Sequence, residues 1–159
     1  MLLALFSILG DLENAAFLDL FAGSGAIGIE ALSRGAKEVV FVEQNPQAVT
    51  IIKENLRHTK LLDYATIISK DVLTGINMIE NQFPFDIIFM DPPYKETIVE
   101  DVLGTLIKTP LVGKDTVIIV EAAKTTSLIN LESLNFQIEK IKEYKSNKHI
   151  FLKMLDKNI

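Results

Sequence analysis

Residues 17–36 read FLDLFAGSGAIGIEALSRGA. An apolar run around Asp19, Ala15–Phe21, leads into Gly23-Ser24-Gly25-Ala26-Ile27-Gly28, and a helix-like stretch, Ala26–Ser33, follows up to Gly35. Glycines at this spacing suit a strand that turns sharply into a helix while its backbone approaches a ligand closely. Such a unit opens a doubly wound α/β fold. The pattern alone leaves the guest open. It accommodates the pyrophosphate of a dinucleotide or a cofactor without phosphate, and a tight turn with no ligand would also explain it.

The chain around this stretch alternates strand-like and helix-like segments. Lys37–Glu43 is rich in β-branched residues, and Asn45-Pro46 then supplies an N-cap and a proline at the first helical position of a helix reaching about Arg57. Ala65–Ser69 reads as a strand, Val72–Glu80 as a short helix, and Phe85–Met90 as a strand stopped by Pro92-Pro93. Thr97–Ile107 has apolar residues at helical spacing, Thr116–Val120 is a fifth strand, and Phe136–Leu155 suits two antiparallel strands. Strands this apolar are buried on both faces, so helices must cover both sides of a mostly parallel sheet.

A chain of 159 residues supports one domain, here taken as 1–159. Its 48% apolar and 23% charged residues are those of a globular protein, and the absence of cysteine excludes disulfides and thiolate metal sites. No other metal-ligand spacing is visible: His58 and His149 stand alone and read as surface residues. The apolar start MLLALFSILG is too short to span a bilayer and lacks a basic leader, so it reads as a helix packed on the core. The net charge of −5 argues against a dominant nucleic-acid surface.

Ligands of such sheets bind beyond the carboxyl ends of the strands. Each of the five strands places a carboxylate there: Asp19, Glu43, Asp71, Asp91 and Glu121. A pyrophosphate wants a glycine loop and a helix N-terminus without surrounding anions. S-adenosylmethionine carries a sulfonium and an ammonium, and an acidic rim suits it. Glu43, at the spacing of a ribose-binding acid, fits both guests. Asp19 could serve only the backbone of the turn, Asp71 could be only the N-cap of the next helix, and Glu121 reads as a solvated strand end.

Asp91-Pro92-Pro93-Tyr94 is more specific. The prolines fix φ and donate no N–H, so this loop offers acceptors, and an aromatic face follows. A flat ring with an exocyclic amine fits: Asp91 and a backbone carbonyl accept its two N–H groups and Tyr94 stacks on the ring. Both acceptors draw the nitrogen toward tetrahedral geometry and aim its lone pair at the sulfonium methyl.

The runs FLDLFAGSGAIGIEALSRGAKEVVFVEQNP and FDIIFMDPPY closely resemble the bacterial 16S ribosomal RNA guanine-N2 methyltransferases of the RsmD type, from about Ala4 to Leu155. The resemblance implies a class I methyltransferase fold, Rossmann-like, with a seven-stranded, mostly parallel sheet whose last strand is antiparallel. It implies methylation of guanine 966 of the small-subunit RNA during assembly, in the cytoplasm, by a monomer. Asp19, Phe21, Ala22, Gly23, Ser24 and Gly25 would line the methionine moiety of the cofactor. Glu43 would hold the ribose, with Gln44 and Asn45 beside it, and Asp71 and Val72 would flank the adenine. Asp91, Pro92, Pro93 and Tyr94 would hold a flipped or unpaired base. The family's basic N-terminal hairpin has no counterpart before Met1. The remaining cations, Lys140, Lys142, Lys145, Lys148 and Lys153, read equally as an RNA patch or as solvated strand faces. Alternatives are adenine-N6 methylation, an NAD-linked oxidoreductase, and an RNA-binding remnant without catalysis.

Overall fold

The computed structural model describes residues 1–80, 83–93 and 97–156. Helix α1 (Leu2–Leu9) precedes strand β1 (Ala16–Leu20), which is followed by α2 (Ala26–Ser33), β2 (Glu38–Val42) and α3 (Pro46–His58). A 3₁₀ turn, Leu62–Tyr64, leads into β3 (Ala65–Ile68) and α4 (Val72–Met78). Then come β4 (Ile87–Met90), α5 (Ile98–Leu106), β5 (Val117–Ala123), β6 (Phe136–Glu143) and β7 (Asn147–Met154). The elements fall where the sequence pattern places them. The 3₁₀ turn is an addition, and β5 runs past Val120 to Ala123.

The seven strands form one sheet in the order β3-β2-β1-β4-β5-β7-β6. The first five are mutually parallel, and β7 lies antiparallel between β5 and β6. Alternate side chains of each central strand serve opposite faces. On one face Leu18, Leu20, Val42, Ile88 and Met90 pack with Val102, Leu103 and Leu106 of α5 and Ile76 of α4. On the other, Phe17, Phe41, Phe89 and Ile119 pack with Ile52 and Leu56 of α3, Leu32 of α2, and Leu5 and Phe6 of α1. Each fully buried Leu or Phe contributes about 1.5–3 kcal/mol, so this double core anchors the sheet. The N-terminal helix is part of it, as its apolar sequence implies; Arg34 also covers the Phe6 ring at 5.1 Å.

The parallel registers align strand ends. Leu20 pairs with Val42 and with Met90, and Met90 pairs with Val120. The loops after β1, β2 and β4 therefore leave the sheet at one rim, with Glu121 of β5 beside them.

Candidate active site

The turn after β1 shows why the glycines stand where they do. Phe21 itself is left-handed, with φ 55°, and Ala22 N–H is tied to Val42 O at 3.1 Å. Gly25 caps α2 with φ 80°, a conformation that costs a residue with a Cβ. At Gly28 the reason is contact: a Cβ would collide with the Phe41 ring and stand 2.8 Å from Val39 Cγ1. The third glycine thus lets α2 lie directly on the sheet.

Asp19 lies beneath this turn, only 1% exposed, where its Oδ2 accepts the Gly28 N–H at 3.1 Å. Burial pushes its carboxyl well above the usual range, against the opposing pull of the Gly28 N–H, and Glu43 and Asp91 add to the rise. Asp19 therefore braces the loop; the backbone role weighed from the sequence is the one visible here.

Glu43 joins the glycine loop to the next helix. Its Oε1 accepts the Gly23 N–H at 2.8 Å and its Oε2 accepts the Asn45 N–H at 2.9 Å. Asn45 in turn caps α3, accepting from Gln47 N–H at 2.9 Å and Ala48 N–H at 3.3 Å. Asp71 caps α4 through Thr74 N–H at 3.0 Å, and that bond holds its carboxyl below the usual range. These residues border a cleft of about 620 Å³, a size typical of a small-molecule site. Phe21, Glu43, Gln44, Asn45, Asp71 and Val72 form one side, and Asp91, Pro92 and Pro93 close the other. Asp19 is sealed below, while Ala22, Gly23, Ser24 and Gly25 form the turn bonded to the Glu43 wall.

Beyond Pro92 and Pro93 lies a second hollow, about 240 Å³, walled by Ile98, Val99, Ala122 and Leu128 and bordered by Glu100 and Glu121. Pro92, Pro93 and Ile98 line both cavities and Asp91 lines the cleft, so the Asp91-Pro92-Pro93 segment runs along the partition between them. Burial and the nearby Glu121 carboxylate raise the Asp91 carboxyl to about 6, and His149 opposes the rise.

Here the sequence reading needs correction. Glu121 is no solvated strand end: its Oε1 bonds His149 Nε2 at 2.8 Å, and that bond, against a partial desolvation, holds Glu121 below the usual carboxylate range. Nor is His149 a surface residue. It is 1% exposed, on a strand inside the sheet, with its ring against those of Phe89 and Tyr144. Its Nδ1 meets Tyr144 Oη at 3.0 Å. Tyr144 escaped notice in the sequence, where only its position at the hairpin could have drawn attention to it; burial, then Glu121, raises its hydroxyl. Among the tail cations, Lys148 is buried, with Nζ bonded to Lys124 O at 2.9 Å, and Lys153 faces Glu139 at 3.7 Å. Lys140, Lys142 and Lys145 are exposed, as is His58. Tyr94, expected to stack on the base, lies outside the described residues. Among the described residues no group of three or more His, Asp or Glu could hold a metal ion, and no helix is long and apolar enough to cross a membrane.

Comparison with known proteins adds a lineage to this geometry. The profile of a family described as "Conserved hypothetical protein 95" matches residues 2–153. Ribosomal RNA small subunit methyltransferase D of Haemophilus influenzae is 36% identical over 124 residues, 77% of this chain and 64% of that protein. This chain thus spans just under two thirds of that relative's length. A solved structure from Streptococcus pyogenes, described as a conserved hypothetical protein, superposes with a TM-score of 0.83 at 32% identity, covering 95% of this chain and 93% of its own. A ribosomal protein L11 methylase of Lactobacillus delbrueckii subsp. bulgaricus gives 0.76 at 17% identity, covering 98% of this chain and 77% of its own. At that identity the likeness concerns the fold alone, and that fold is the class I methyltransferase fold.

Proposed function

This chain belongs to the family described as Conserved hypothetical protein 95, the family of the ribosomal RNA small subunit methyltransferase D enzymes, and from that premise we propose that it transfers a methyl group from S-adenosylmethionine to the N2 amine of a guanine in 16S ribosomal RNA. The observation that carries the reading is the partition: one acidic cleft and one largely apolar hollow share the wall Pro92-Pro93, with Asp91 at its edge.

The cleft suits the cofactor. Among its described residues Glu43, Asp71 and Asp91 face a single cation, Lys70, a balance that favours an ammonium and a sulfonium over a pyrophosphate. Both Glu43 oxygens are already oriented by backbone N–H groups, and each keeps a lone pair for a ribose hydroxyl. Val72 supplies an apolar surface for the adenine, with Asp71 at its edge. When bound, S-adenosylmethionine supplies a methyl group on a sulfonium and leaves as a neutral thioether.

The chain's own residues act on the amine. Asp91 and a carbonyl of the proline segment accept its N–H groups and turn its lone pair toward the cleft. As the nitrogen–carbon bond forms, the nitrogen gains positive charge and releases one proton to the Asp91 carboxylate. A carboxyl near 6 is ionised at neutral pH and still basic enough to take that proton. The substrate is the assembling small subunit, the setting is the cytoplasm, and the protein acts as a monomer. The test uses labelled cofactor and small subunits from a strain lacking this gene. Digestion should yield N2-methylguanosine. N6-methyladenosine, or no labelled nucleoside, would contradict the proposal.

A further inference from the structure

The proposed transfer uses one carboxylate beside the amine, that of Asp91, together with a carbonyl of the proline segment. The sheet supplies a second carboxylate that this reading leaves without a task. Met90 pairs with Val120 in parallel register, so Asp91 and Glu121 come next to each other at the rim. Glu121 pairs with His149 in antiparallel register, and His149 Nε2 meets its Oε1 at 2.8 Å.

The histidine is built to hold that carboxylate. Its ring lies edge-on to Phe89, centroids 5.9 Å apart, and to Tyr144, at 4.9 Å, and Tyr144 Oη occupies its Nδ1. With the Tyr144 hydroxyl donating to Nδ1, the Nε2 proton is directed to Glu121. Two carboxylates side by side repel each other, yet this fold keeps both and adds a buried donor to one: Glu121 borders the hollow and Asp91 the cleft, on either side of Pro92-Pro93. Glu100 is the other acid bordering this hollow, and Lys148 is turned away to Lys124 O.

A guanine edge complements this pair. It presents N1–H and the N2 amine as adjacent donors, whereas adenine presents an amine beside a bare N1 lone pair. Resting on the methyl-transfer reading above, we propose that Glu121, positioned by His149, reads the target base by accepting the guanine N1–H while Asp91 accepts the neighbouring amine. Ile98, Val99, Ala122 and Leu128 give the ring its apolar walls. Adenine then fails because the Glu121 carboxylate faces its N1 lone pair.

The test separates N1–H from the amine. 2-Aminopurine keeps the exocyclic amine and lacks the N1–H. Reconstituted small subunits carry guanine or 2-aminopurine at the methylated position. The wild-type protein should prefer guanine by roughly 10- to 100-fold in kcat/KM, the range for one specific base contact. Glu121→Gln can donate an N–H to the bare N1, so its preference should collapse to within a few-fold, with S-adenosylhomocysteine affinity unchanged. His149→Phe should move the acidic limb of the rate upward in pH, and His149→Gln, which keeps a donor, should restore it. Equal wild-type rates on both bases overturn the assignment whatever the variants do. So does a preference that survives in a Glu121→Gln protein that binds S-adenosylhomocysteine normally. A wild-type protein that makes no N2-methylguanosine on unmodified subunits instead contradicts the methyl-transfer reading.

Discussion

The two sides of the Asp91-Pro92-Pro93 partition are built differently. On the cofactor side the acids are held by backbone amides of the turns and helix caps at the strand ends. Glu43 holds Gly23 and Asn45, Asp71 holds Thr74, and Asn45 caps its own helix. On the base side the bonds run between side chains: Glu121 of β5 to His149 of β7, and His149 to Tyr144 of the β6–β7 turn. Backbone-anchored groups are set once β1 and β2 pair and the helix caps form. Groups anchored to other side chains depend on strand order and can be retuned by a single substitution. The first arrangement suits a constant cofactor and the second suits a selected substrate.

The sharpest break between the sides should come from Asp91→Ala. Methyl transfer should fall about 10³-fold or more, the scale for losing a positioned acceptor and proton acceptor together. S-adenosylhomocysteine affinity by calorimetry should change little. A proportional loss of both would merge the two sides into one site. On the cofactor side, Glu43→Ala should weaken S-adenosylhomocysteine binding by roughly 1.5–3 kcal/mol, the scale of charged hydrogen bonds. Unchanged affinity would remove Glu43 from the cofactor site.

Gly28→Val tests the packing under that side. It should cost about 1–3 kcal/mol in urea unfolding, through overpacking against Phe41 and Val39. Next comes pH. The Asp91 carboxyl rises from 3.8 to about 6 in the folded protein, so the rate should drop as pH falls through about 6. The same shift means that the folded protein binds this proton more tightly than the unfolded chain, so ionised Asp91 opposes folding. Asp91→Asn should therefore melt higher than the parent above pH 6, with the gain fading toward pH 4. A gain that grows on acidification would reverse the assigned sign. The smallest effect belongs to Asn45→Ala, which removes a helix cap at about 1 kcal/mol and should lower Tm by a few degrees.

The two sides also differ in how far the sequence reveals them. The cofactor side is written in motifs of fixed spacing: three glycines, Asn45-Pro46, and an acid 20 residues after the first glycine. Each fixes its own neighbourhood, so the strands, the caps and the Glu43 position are readable. The left-handed Phe21 is an exception, because nothing in a phenylalanine announces a positive φ. The base side is written across the sheet. His149 and Glu121 are 28 residues apart, and they meet only because β7 enters between β5 and β6. A lone histidine followed by Ile150-Phe151-Leu152 looks like an ordinary strand residue until both of its neighbouring strands are known. The apolar run was the available clue that the strand is central and its histidine buried.

The most direct measurement is a crystal structure with S-adenosylhomocysteine bound. The expected ligand lies in the 620 Å³ cleft, its ribose on Glu43, its adenine beside Asp71 and Val72, and its sulfur toward Asp91. The hollow beside Glu121 should stay free for a base. A ligand seated in that hollow against Ala122 and Leu128, or reversed so that its adenine meets Asp91, would contradict the division of the site into a cofactor side and a base side.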